Sequence, residues 1–94
     1  MEIEKKFFSI LTENEINYFA QLEGVLSSVD ELCCLQITRT PYNYNFRIAP
    51  SLPKYTNNII EELIKFHNLF SIHLDFSKSM KTCAAINFKL SLEN

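Results

Sequence analysis

Two side chains in this sequence could support acid–base chemistry. His73 and Asp75 stand two apart in the alternating run Ser71 to Ser77, so on a strand they share a face. An Asp so placed can orient a His for proton transfer. The nucleophile such a pair would serve is missing. The chain has no Gly-x-Ser-x-Gly elbow, and no cysteine stands in a catalytic context. An ordinary polar strand face is the better account of the pair. A metal would have to draw on Cys33, Cys34, His67, His73 and Cys83. These are scattered by the strand pattern, and adjacent Cys33 and Cys34 point to opposite faces of a strand. Phosphate cradling is excluded most firmly, because nucleotide fingerprints need glycine-rich loops and Gly24 is the only glycine. No cofactor is implied, and the chain is expected not to be an enzyme.

The elements that would position these residues are read from periodicity. The clearest is the hairpin Cys33 to Ala49. Leu35 and Ile37 fall on one face of its first arm, and Tyr44, Phe46 and Ile48 on one face of its second. Gln36, Thr38, Asn45 and Arg47 take the other side. Pro41 and Asn43 supply the turn without glycine. Before it, Ile3 to Leu11 reads as a strand, followed by the capping box Thr12 to Glu15. A helix over Glu13 to Val29 presents Ile16, Phe19, Ala20, Leu22, Leu26 and Val29 as one wide apolar stripe. Gly24 inside it permits either close packing or a bend.

After the hairpin, Pro50 and Pro53 make residues 49–55 a stiff corner. A second helix is expected from an Asn57 or Asn58 cap, with Ile60, Leu63, Ile64, His67 and Phe70 inward and a Glu61–Lys65 pair outside. Ser71 to Ser77 and Thr82 to Leu92 alternate as a closing hairpin around Lys78 to Lys81. The predicted order is β-α-β-β-α-β-β: an α+β fold with a single antiparallel β-sheet and two helices packed on one face.

Ninety-four residues make one domain, 1–94, with a small core. Net charge is −2, and no Lys or Arg stands between Phe7 and Thr38. That acidic first third argues against nucleic-acid contact through the first helix. An odd cysteine count with no Cys-x-x-Cys suggests free thiols in a cytoplasmic or nuclear setting. The N-terminus lacks signal-peptide character, and no run approaches the ~20 apolar residues of a membrane span. The β-α-β-β-α-β order is shared with RNA-recognition modules. Those stack bases on aromatic side chains of the open sheet face, however, and Tyr44, Phe46, Phe76 and Phe88 fall on the apolar side here.

The stretch from Phe7 to Ile48 resembles the opening strand, helix and hairpin of a sliding-clamp domain of the checkpoint-clamp type. Carrying the likeness are Lys-Phe-Phe-Ser-Ile-Leu, the helix with Tyr18, Phe19 and Leu26, Cys34-Leu35-Gln36-Ile37, and Asn45-Phe46. Residues 59–92, Ile-Ile-Glu-Glu-Leu-Ile-Lys-Phe-His and the hairpin after it, resemble that domain's second helix–hairpin. The strands between the two halves are absent, and clamp helices are basic where the first helix here is acidic. The resemblance implies a clamp-like fold, not the encircling of DNA.

The expected function is a non-catalytic protein–protein interaction module, a small subunit of a larger intracellular assembly, in a homo- or hetero-oligomer. Its expected contact residues are Ile86, Phe88 and Leu90 on the last strand, with Arg47 and Lys89 on the open face. The alternative is a nucleic-acid-associated factor with a clamp-like or RNA-recognition-like fold. An enzyme built on His73 and Asp75 is the third.

Overall fold

The computed structural model describes residues 1–7, 10–70 and 85–91. The elements are β1 (Glu2–Phe7), α1 (Glu13–Val29), β2 (Cys34–Arg39), β3 (Asn43–Ala49), a 3₁₀ turn (Pro53–Tyr55), α2 (Thr56–Asn68) and β4 (Ile86–Ser91). The four strands form one sheet in the order β1-β2-β3-β4. The predicted strand over 71–77, the turn at 78–81, Cys83 and the His73–Asp75 pair lie outside the described residues.

The sheet is mixed, which corrects the antiparallel expectation. β1 runs parallel to β2, with Ile3 opposite Leu35 and Lys5 opposite Ile37. β2–β3 and β3–β4 are antiparallel. The cause is α1. A 17-residue helix returns the chain to the end of the sheet where it began, so the next strand repeats the direction of the first. Only a tight turn reverses it, as happens at Thr40–Asn43. There the Thr40 hydroxyl accepts from the Tyr42 and Asn43 N–H groups at 3.2 and 3.1 Å.

α1 starts where the capping box places it. The Thr12 hydroxyl accepts from the Glu15 N–H at 3.2 Å, and the Glu15 carboxylate accepts from the Thr12 N–H at 3.1 Å. α2 starts earlier than expected. Thr56 follows directly from the 3₁₀ turn, Tyr55 occupies the cap position, and no side chain hydrogen-bonds there. Neither Asn57 nor Asn58 is the cap. Outside α2, Lys65 lies 3.7 Å from Glu61 and 3.4 Å from Glu62.

Both helices cover the same sheet face. Phe19 and Leu22 of α1 and Ile59 and Leu63 of α2 are buried with Leu35, Ile37, Tyr44, Phe46, Ile48, Ile86 and Phe88. Phe46 and Phe88 stack at 4.6 Å across β3 and β4. The aromatic side chains on these strands therefore serve the core. The helix stripes differ from expectation at their margins. In α2 the buried set is Ile59, Leu63, Phe66 and His67, while Ile64 and Phe70 are exposed and Ile60 is half-buried. In α1 Ile16 and Ala20 are exposed and Val29 is half-buried. Two helices side by side leave each other's outer flanks uncovered.

Candidate functional site

The polar side chains that the fold draws inward are matched to one another. Glu15 serves twice. One of its carboxylate oxygens closes the capping box, and the other accepts from Arg39 Nε at 3.2 Å and from the Tyr44 hydroxyl. Burial opposes its ionisation, but the hydrogen bonds from Tyr44, Thr12 and Arg39 outweigh that and hold its carboxyl below the usual range. Tyr44 responds in the opposite sense, pushed up to about 12 by burial, then by its hydrogen bond to Glu15 and that carboxylate's charge. Arg39 also lies over the Tyr44 ring, 5.7 Å from its centre. The cluster ties the start of α1 to the β2–β3 hairpin, and it leaves the helix N-terminus capped by the protein's own carboxylate.

A second pair joins the helices. The Tyr18 hydroxyl lies 2.6 Å from His67 Nε2, and His67 Nδ1 lies 2.7 Å from the Leu63 carbonyl. A carbonyl only accepts, so Nδ1 carries the proton and Nε2 accepts from Tyr18. Burial disfavours the charged imidazole and lowers the His67 pKa, with the Leu63 carbonyl acting weakly the other way. Burial, and then Tyr44, raise Tyr18. A neutral, fully buried histidine against an un-ionised tyrosine is a helix-to-helix fastening.

Asp30 is the third buried group. It caps the C-terminus of α1 and accepts from the Ser51 N–H at 2.7 Å, the Ser51 hydroxyl at 2.6 Å and the Leu32 N–H at 3.3 Å. Burial works against its charge, and the Ser51 and Leu32 donors still bring its pKa down. Cys33 is buried beside Met1, with sulfurs 3.5 Å apart, and Cys34 turns to the other face toward Glu2. Both thiols are free, and burial raises the pKa of each, so neither is an activated nucleophile. No group of three or more His, Cys, Asp or Glu among the described residues could hold a metal. No described helix is long and apolar enough to cross a membrane.

What remains is surface. Arg47 and Lys89 are exposed on the open sheet face, and neither has a hydrogen-bond or ion-pair partner among the described residues. They are diagonal neighbours, since Asn45 is opposite Lys89 and Arg47 opposite Asn87. No aromatic side chain stands with them on the described strands. Ile86 and Phe88 are buried beneath the helices and Leu90 is half-buried. The residues named together from sequence are thus divided, two in the core and two on the opposite face.

The surface with the most unsatisfied character is at the other end of the sheet. β1 pairs only with β2, and among the described residues nothing pairs with its outer edge. Ile3 on its helix-facing side is 39% exposed. α1 overhangs this strand: Phe7 stacks on Phe19 at 5.6 Å, and Lys5 reaches Glu23 at 2.9 Å. On the flank above β1, α1 presents Ile16, 54% exposed, and Ala20, in one column with Glu23 and Ser27. Periodicity assigned Ile16 and Ala20 to the core. The signal that could have separated them is width, because a stripe of six apolar positions spans more than one helix needs to bury. No family model, curated protein or solved structure matches this chain.

Proposed function

We propose that the protein is a non-catalytic protein–protein interaction module, a small subunit of an assembly, which docks through β1 and the overhanging flank of α1. One observation carries this reading. Among the described residues no strand takes the outer edge of β1, and an exposed, apolar helix flank, Ile16 and Ala20, stands beside it. Edge pairing supplies main-chain hydrogen bonds, and the flank supplies apolar area beside them. The small core adds weight, because a chain of this size gains from surface buried on a partner. The buried polar clusters point the same way: Glu15, His67 and Asp30 are each engaged by groups of the protein itself.

The test is a photo-crosslinking amino acid at Ile16, in the cells that make the protein, with Asn45 on the open sheet face as control. The expected result is a discrete protein adduct from position 16 and none from 45. No adduct at 16, or the same adducts at both positions, rejects the surface.

A further inference from the structure

Resting on that docking surface, we infer that its occupant is a second copy of this chain, joined edge to edge through β1 as an antiparallel, two-fold-symmetric pair. An isologous contact demands a strand that complements itself. About a two-fold axis, opposed residues have numbers of constant sum, and side chains share a face only when that sum is even. β1 has a register that meets both conditions. With Lys5 on the axis, Glu4 faces the partner's Lys6 and Lys6 faces the partner's Glu4, both on the open sheet face. On the helix-facing side Ile3 faces the partner's Phe7, again twice. The central Lys5 is drawn aside by its own Glu23 at 2.9 Å, which relieves its approach to the partner's Lys5. The neighbouring register, centred on Glu4, also sets Glu2 against the partner's Lys6, but it places Glu4 against the partner's Glu4 and Ile3 against the partner's Lys5. Apolar matching therefore selects the first.

The helices agree with the strands. α1 meets β1 through Phe19 against Phe7 at 5.6 Å and Glu23 against Lys5 at 2.9 Å, so its flank on that side faces the partner's. The facing column is Ile16, Ala20, Glu23 and Ser27, at the four-three-four spacing of a helix seam. Ala20 and Ser27 are small enough to let the backbones approach. The pair makes one continuous sheet and closes the β1 edge in both copies.

The experiment is sedimentation of the full chain with Lys6→Glu, with Glu4→Lys, and with the two mixed. Each substitution sets like charges opposite in its own pair and opposite charges in the mixed pair. We expect a wild-type dimer, self-association weakened about ten-fold or more in each variant, and a restored mixed dimer. Circular dichroism establishes that both variants fold. If either does not, hydrogen exchange of the wild-type β1 amides decides instead, with protection expected to fall on dilution. A wild-type chain monomeric up to about 100 μM, variants as dimeric as wild type, a mixture that fails to re-form dimer, or β1 protection unchanged by dilution each overturns the inference. A monomer whose position-16 adduct is a different protein overturns self-pairing and leaves the docking surface standing.

Discussion

Tyr18 and His67 show what a single buried hydrogen bond does in a small core. Removing the Tyr18 hydroxyl leaves His67 Nε2 buried without a donor, a cost of about 1–3 kcal/mol. Tyr18→Phe keeps the ring contacts with Phe46 and Phe66, so urea unfolding should report a loss in that range. The same histidine sets a pH dependence. Its folded pKa lies below the ordinary 6.5, so the folded state resists its protonation. Stability from this group is complete above about pH 6.5 and declines as pH falls below it. Glu15 and Asp30 have the same sign at lower pH. Their folded pKa values are depressed, so their contribution is present above the ordinary carboxylate range and lost on acidification through it. Unfolding curves between pH 7 and 3 should therefore move steadily to lower urea. In His67→Gln the part of that shift contributed by the imidazole should vanish. At this scale the sequence was a poor guide. His67 sits at the margin of its stripe, and Tyr18 lies 49 residues away.

At the scale of elements, α1 carries most of what can be checked. Its capping box was legible in full, because Thr12 and Glu15 act within one turn of chain. Gly24 was not. The helix runs unbroken through it, and a Cβ there would meet nothing within 4 Å. Close packing on the sheet is therefore not the reason for glycine. Gly24→Ala should stabilise the protein by about 0.5–1 kcal/mol, measured by chemical unfolding. An unchanged or lower midpoint would show that the glycine has a use the monomer does not display. The α2 face illustrates a different limit. Ile59 and Ile60, and Leu63 and Ile64, are adjacent apolar pairs, so two helix faces compete in the sequence. Contact with Phe88 and with α1 selects Ile59, Leu63, Phe66 and His67. Strand faces posed no such ambiguity, and β2 and β3 bury the alternating sets that their sequence displays.

For the whole molecule, charge and edges matter most. The acidic first helix reads as a solvated surface, yet Glu15 and Glu23 are answered by Arg39 from β2 and Lys5 from β1. Two of the five acids in the long stretch without a cation are thus paired from flanking strands. The edge-to-edge pair adds a consequence that bulk measurements can follow. A folded dimer is stabilised by mass action, so raising protein concentration ten-fold should add about 1.4 kcal/mol per mole of dimer and raise the melting temperature. Lys6→Glu should abolish that concentration dependence over the same range.

The sequence by itself determined the local features: the capping box, the hairpin with its buried and open faces, the Glu61–Lys65 pair, and the absence of nucleotide fingerprints. Each depends on residues within one turn or one alternating run. Only the tertiary structure decided that β1 lies parallel to β2 at the end of the sheet, and that Ile16 and Ala20 face outward above it. The direction of β1 depends on where a 17-residue helix returns the chain. The exposure of the α1 flank depends on a second helix packed against the opposite side. Neither distance is written in periodicity, which records how many faces are apolar and not which of them the fold leaves open.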